Sequence, residues 1–291
     1  MSENMKKNIK DLWIAFRPLS LSLSVSSTTL GILFASKKVP LNPLNVVLVT
    51  LAGMAVLSCA NLINDFYEGS FKYHRPNEKT YRFLSYDRTL FDMLVFFTSL
   101  ACLLFTGLIG LYLMFTVNMN LFWIGLVGMF GSYAYTGEPF VYKRKGLGAL
   151  FSLILVGCLM VLGSYMVFVT EFSLMPVLLA FPASLMIPLM MMSNEIRDYE
   201  RDKDLGINTA TVIFGLKFGY ITYIAILVLA YSLLLILIIL GLLPLQSLIV
   251  FTTLPLALKA YKTVANEYTG IRVTNMLHIA FNALMILSLM V

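Results

Sequence analysis

Asn61-Leu62-Ile63-Asn64-Asp65-Phe66-Tyr67-Glu68 closes one long apolar stretch, and Asn194-Glu195-Ile196-Arg197-Asp198-Tyr199-Glu200-Arg201-Asp202 closes another. Charge in or beside a bilayer is costly, so ionisable residues at such places mark a site by default. Within each run polar residues recur at steps of three and four, which on a helix puts them on one face. Two facing sets of carboxylate and amide oxygens are the hard donors that Mg²⁺ prefers, with phosphate oxygens completing its shell. The two runs therefore predict a site for a metal-bound diphosphate at a membrane.

Composition supports the membrane setting. Of 291 residues, 59% are hydrophobic and 12% charged, and the mean hydropathy is +0.85. A soluble domain averages about a quarter charged residues. Nine apolar stretches are long enough to span, near 16–36, 43–63, 91–115, 119–136, 148–170, 173–193, 218–240, 244–261 and 273–291. Alternation at period two is absent, which argues against a membrane β-barrel. The expected fold class is thus an all-α integral membrane protein, with nine transmembrane helices around a central cavity. No linker or low-complexity segment divides the chain, and residues 1–291 read as one domain.

Basic residues orient it. Of the 21 Lys and Arg, all but Lys37 and Lys38 fall in the N-terminal segment or in the loops after the second, fourth, sixth and eighth stretches. Positive charge is retained in the cytoplasm, so the N-terminus is expected inside and the C-terminus outside. The net charge of +6 is spread over these loops beside hydrophobic spans, which excludes a nucleic-acid partner and leaves the lipid bilayer. The first stretch is longer than a signal-peptide core and lacks a small-residue cleavage site. Cys59, Cys102 and Cys158 lie inside apolar stretches at no metal-binding spacing and read as small core residues.

Asn64, Asp65 and Glu68 on one side, with Asp198 and Asp202 on the other, are the expected metal ligands, and the four acids are the expected catalytic residues. Asn61 and Asn194 add neutral oxygens and hydrogen bonds. Lys72, Arg75, Lys143, Arg144 and Arg197 are the cations for phosphate oxygens; Arg matches phosphate bidentately and Lys acts as a point charge. The alternative for Lys72, Arg75, Lys143 and Arg144 is that they are solvated loop charges. His74, in a charged loop, and His278, in the last apolar stretch, have no metal-ligand partner at useful spacing. Met190, Met191 and Met192 read as adaptable packing around an apolar chamber.

Asn64-Asp65-Phe66-Tyr67-Glu68 resembles the start of the NDxxDxxxD motif of the UbiA superfamily of intramembrane prenyltransferases, and Asp198-Tyr199-Glu200-Arg201-Asp202 resembles its DxxxD motif. Three stretches are similar to the 1,4-dihydroxy-2-naphthoate polyprenyltransferases of menaquinone synthesis: Ala15-Phe16-Arg17-Pro18; Tyr135-Thr136-Gly137-Glu138-Pro139 with Gly146-Leu147-Gly148; and Asn194 through Arg197, Asp198, Asp202 and Gly206 to Thr209. Lys72 stands where the superfamily places a third acid, His74 where the naphthoate enzymes usually keep an Asp, and Glu68 where Asp is usual. Ala149 and Ile207-Asn208 are further departures, and they bear on the acceptor.

The resemblance implies Mg²⁺-dependent transfer of a prenyl group from a prenyl diphosphate to an aromatic acceptor, in the multi-pass cell membrane, with the site on the cytoplasmic side. It also implies acceptor contacts. Arg17 fits an acceptor carboxylate, the diphosphate, or a topological charge. Phe66, Tyr67, Tyr133, Tyr135 and Tyr199 lie beside the motifs; their rings can face an allylic cation or serve in packing. Related reactions keep the ionisation chemistry and change or omit the acceptor. A reading from another class is a cation-coupled transporter, in which the same acids bind the coupling ion.

Overall fold

A computed structural model describes residues 3–68, 78–264 and 269–290. Lys72, Arg75 and His74 lie outside the described residues. Helix α1 (Glu3–Phe16) leads into α2 (Leu21–Ser36), followed by α3 (Pro43–Glu68). A hairpin of β1 (Thr80–Phe83) and β2 (Tyr86–Thr89) precedes α4 (Leu90–Thr116) and α5 (Leu121–Ala134). Helices α6 (Gly148–Ser152) and α7 (Met160–Met166) form one span joined by a π-helical stretch, Leu153–Leu159. Then come α8 (Met175–Ser184), α9 (Met186–Arg197), the short α10 (Tyr199–Asp204) and α11 (Ala210–Phe214), α12 (Leu216–Ile239), α13 (Leu254–Thr263) and α14 (Thr269–Met290).

Seven described helical segments are long and apolar enough to cross a membrane, against the nine expected. The fourth expected span is the 14-residue helix α5. The eighth is split between a 3-10 stretch, Leu245–Thr253, and α13. Pro255 accounts for the split: it lacks an N–H and fits the first turn of a helix, so α13 starts there. The hairpin also departs from the all-α expectation. It is antiparallel, with Thr80 opposite Thr89 and Phe83 opposite Tyr86. Its turn places Leu84 and Ser85 at φ 47° and 66°, the left-handed geometry that two-residue hairpins require.

Thr89 ends the hairpin and starts α4. Its hydroxyl accepts from the Asp92 backbone N–H, and the Asp92 carboxylate accepts from the Thr89 N–H at 2.8 Å, a reciprocal capping box. The segment Met175–Arg197 lies at the centre, 67% buried against 28% for Leu90–Thr116. Pro188 has no N–H to offer the Ser184 carbonyl, and the helix breaks at Leu185 between α8 and α9. The outward faces stay apolar, as Leu104, Phe115 and Ile239 show.

A large buried cluster ties α9, α12, α13 and α14 together through Leu189, Tyr223, Ala257 and Phe281. A second joins α3, α4 and the hairpin through Ile63, Phe66 and Val95. Leu23, Leu57, Ile187 and Met190 link α2, α3 and α9 between them. The two motif-bearing helices, α3 and α9, are therefore fixed relative to each other by apolar contacts.

Close approach of α2 to α7 depends on Gly31. A methyl there would lie 2.1 Å from the Ser164 hydroxyl and 2.4 Å from the Val161 carbonyl. The clash involves backbone, so the helices would have to separate. Gly31→Val is expected to destabilise the protein by about 1–3 kcal/mol, the usual cost of overpacking, read as a lower melting temperature of detergent-purified protein. Gly110→Ala, where open space surrounds the added methyl, is expected to keep or slightly raise it, since alanine favours a helix over glycine by about 0.5–1 kcal/mol.

Candidate functional site

The two motif ends meet at one cavity of about 960 Å³. Asn61, Asn64 and Glu68 from α3 line it, and so do Asn194, Arg197, Asp198 and Asp202 from the end of α9 and from α10. The wall further along is apolar, formed by residues of α2, α4, α5 and α7 such as Leu23, Leu113, Leu126 and Met160. Asp65 does not line the cavity; it lies behind Arg17, which does.

Arg17 reaches the first motif because the chain breaks there. Pro18 disfavours helical geometry in the residue before it, and Arg17 adopts φ 51°, ψ 62° between α1 and α2. A non-glycine residue in that region is strained. Asn61 holds the break: its amide donates to the Phe16 carbonyl at 3.0 Å and to the Ser20 hydroxyl at 2.9 Å. Arg17 then donates to Asn64 Oδ1 and to Asp65 Oδ1, both at 2.6 Å. Asn61 thus positions Arg17, a role its sequence position does not disclose.

Lys143 arrives from the loop after α5. Its backbone N–H donates to the Tyr135 carbonyl at 3.0 Å, and Gly146 N–H donates to the Asn208 carbonyl at 3.1 Å. The loop folds back over the cavity, and the Lys143 ammonium pairs with Glu68. It also lies 5.9 Å from the centre of the Tyr135 ring. Arg144, the next residue in the turn, does not line the cavity. Its charge bears on Tyr86 of the hairpin, whose hydroxyl donates to Glu138.

The second motif carries its own cations. Arg197 forks onto Asp198 at 2.6 and 2.7 Å. Arg201 bridges Asp198 at 3.0 Å and Asp202 at 2.9 Å. Burial pushes the Asp202 carboxyl above the usual carboxylate range, against the pull of Arg201. The Tyr135 hydroxyl is pushed up by burial and by the acids around it, Glu68 from the first motif and Glu195 and Asp202 from the second.

Among the described residues no three acids, histidines or cysteines converge tightly enough to cage a metal by themselves. The donor set nevertheless fits Mg²⁺. That ion is usually held by one or two carboxylates, with waters and substrate phosphates filling its octahedron, and each motif offers that many.

Of the aromatic residues beside the motifs, Tyr135 lines the cavity. Phe66 is fully buried in the α3–α4 cluster. The Tyr67 and Tyr133 hydroxyls bond each other at 3.1 Å, so both serve packing. The Lys203 ammonium lies over the ring of Tyr199. His278 is buried in α14, with Asn282 at 3.1 Å from its Nδ1, away from the acids. Tyr142, Arg201 and Glu195 are among the cavity residues that the sequence reading did not assign to the site. The signal for Glu195 was present, since 195, 198 and 202 recur at steps of three and four on one helical face.

The structure is a multi-helix membrane bundle whose cavity is apolar along its length and charged at one end. Residues 24–281 match the model of the UbiA prenyltransferase family, and the chain belongs to that family. It is an integral, multi-pass membrane protein. It is 31% identical over 230 residues to human UbiA prenyltransferase domain-containing protein 1, covering 75% of this chain and 65% of that relative's length. It is 27% identical over 228 residues to the 1,4-dihydroxy-2-naphthoate octaprenyltransferase of Bacillus subtilis (strain 168), covering 74% of this chain and 68% of that one. Among solved structures, the UbiA homolog from Archaeoglobus fulgidus bound to DMAPP and Mg²⁺ superposes with a TM-score of 0.63 at 14% identity, covering 93% of this chain and 97% of that chain.

Arg17 is the mutation that reports most directly on the first motif. Arg17→Met removes a charged hydrogen bond to each of Asn64 and Asp65. It is expected to cost about 1–3 kcal/mol, the range for losing a charged hydrogen-bond partner. Arg17→Lys is expected to recover part of it. Melting temperatures of the purified variants check both.

Proposed function

We propose that this chain transfers a prenyl group from a prenyl diphosphate to an aromatic acceptor, 1,4-dihydroxy-2-naphthoate, with release of diphosphate. The observation that carries the reading is the convergence of both acidic helix ends on the charged end of one elongated apolar cavity. The relative named as a naphthoate prenyltransferase supports the acceptor, and the neighbour bound to DMAPP and Mg²⁺ supports the donor and metal. The whole chain, 1–291, acts as one domain in the cell membrane. The N-terminus and the site lie on the cytoplasmic side and the C-terminus outside, as the basic loops direct.

Glu68, Asp198 and Asp202, with Asn64 and with Asp65 behind Arg17, would hold the metal. Bound there, Mg²⁺ would neutralise charge developing on the departing diphosphate. Lys143 and Arg197, with Asn61 and Asn194 beside them, orient the phosphate oxygens. Lys72 and Arg75 belong to the same proposed set. Arg17 and Tyr135 face the acceptor: the guanidinium matches a carboxylate, and the ring offers its face to an allylic cation. The apolar wall keeps water from that cation, which would otherwise be quenched as the alcohol.

A cation-coupled transporter has less support. Transporter sites lie near the bilayer midplane, built from broken helices, whereas these acids sit where α3 and α9 end.

Asp198→Ala and Asp202→Ala are each expected to lower turnover by at least ~100-fold, the scale for losing an electrostatic group at the reacting centre, with membrane insertion intact. Mass spectrometry of products from Mg²⁺, prenyl diphosphates and a panel of aromatic acceptors is the measurement. Near-normal prenylation by both variants, or no prenylated product from the unaltered protein, would reject the assignment.

A further inference from the structure

Glu195 stands apart from the other acids at the charged end of the cavity. Asp65, Glu68, Asp198 and Asp202 each have a Lys or Arg partner. Among the described residues Glu195 has none within the 4.0 Å that defines an ion pair. It is 7% exposed and lines the cavity.

Its two oxygens differ. Oε2 accepts from the Thr211 N–H at 3.0 Å and from the Thr211 hydroxyl at 3.1 Å, which fixes the side chain. Oε1 accepts no hydrogen bond from a described residue. It sits across from bare Gly148, 3.8 Å from where a methyl would stand, beside the Tyr135 ring and the Lys143 stem. A carboxylate held by one oxygen, with the other free in a substrate-sized space, has the arrangement of a general base. Its orientation is set before a ligand arrives.

We infer that Glu195 is a catalytic base that takes the hydroxyl proton of the aromatic acceptor; the inference rests on the prenyl-transfer reading above. The proton passes from the acceptor hydroxyl to Oε1, and the oxygen lone pair is pushed into the ring. The ring carbon forms its bond to the allylic carbon as the allylic C–O bond breaks, its electron pair leaving on the diphosphate. The dienone so formed rearomatises by losing the ring proton to diphosphate, or CO₂ where that carbon bears a carboxylate. Glu195 then returns its proton to the acceptor oxygen. Nothing is oxidised or reduced.

Glu195→Gln keeps an oxygen for Thr211 and removes the basicity. In the full-length purified protein it is expected to lower kcat for prenyl transfer by ~100-fold, the low end of general-base contributions. The KM for prenyl diphosphate, the Mg²⁺ requirement and acceptor-free diphosphate release are expected to stay within about twofold of the unaltered protein, because those steps do not use the base. Thr211→Val, which removes one bond of the same cap and leaves the carboxylate, is the structural control. Equal losses in both variants, full kcat in Glu195→Gln, or a parallel fall in acceptor-free release would overturn the inference.

A second readout needs no turnover. Without donor, Glu195→Gln is expected to bind 1,4-dihydroxy-2-naphthoate with a Kd within about twofold of the unaltered protein, because the base acts as the new bond forms. A tenfold loss of affinity would mark a binding role and overturn the inference. Failure of the prenyl-transfer reading would appear separately, as no diphosphate release from the unaltered protein.

Discussion

Asp65 rests on Arg17 at 2.6 Å, Glu68 on Lys143, Asp198 on Arg197 and Arg201, and Asp202 on Arg201. Several carboxylates gathered at one end of an apolar cavity repel each other, and burial raises the cost of each charge. At Asp202 burial pushes the carboxyl above the usual carboxylate range, and Arg201 opposes that rise. The resident cations offset both costs, and the rest of the site depends on that pairing. The same cations are the groups a diphosphate would seek, so acids and bases stand ready to exchange partners.

The chain spends local strain to deliver those cations. Arg17 sits at φ 51° and Val141, two residues before Lys143, at φ 42°. Neither is glycine, and a β-branched residue in that region is a true outlier. Both lie in the breaks that bring a cation to the first motif, one by interrupting α1–α2 and one by folding the α5–α6 loop back on itself. Such outliers persist where the surroundings over-determine them. Here Asn61 clamps the first break, and the Lys143–Tyr135 and Gly146–Asn208 backbone bonds fasten the second. Arg197 and Arg201 need no such device, since consecutive helical turns place them beside Asp198 and Asp202.

Much of this was legible before the structure. The apolar stretches announce the spans because lipid forces every backbone group to be satisfied internally, and the acidic runs stand out against them. The hairpin was hidden because its turn, Leu84-Ser85, lacks the Asn-Gly or Gly signal that marks such turns. The division of the eighth stretch was hidden because hydropathy registers composition, and Pro255 alters hydrogen bonding while leaving composition apolar. Within the site, the acids could be read from spacing. Their partners could not, since Arg17 and Asp65 lie 48 positions apart and Lys143 and Glu68 lie 75 apart. Glu195 was overlooked because it sits between two motif residues and looks like an ordinary helix charge until Thr211 is seen holding it.

The apolar part of the cavity completes the logic of the charged end. Gly107 and Gly110 on α4, and Gly125 and Gly128 on α5, all line it. In each pair the residues are three apart, so both present backbone to the same space. Added methyls at Gly110 and Gly125 would meet nothing within 4 Å. Room is thus kept by omission of side chains, at the helical cost that glycine carries. Close packing would ordinarily remove such a void, because unfilled volume forfeits dispersion contacts. Its persistence beside the acidic cluster means that two costs, an unfilled slot and a concentration of charge, fall on one cavity. On the proposed function, a prenyl diphosphate with its Mg²⁺ would relieve both at once, the chain filling the slot and the metal meeting the acids.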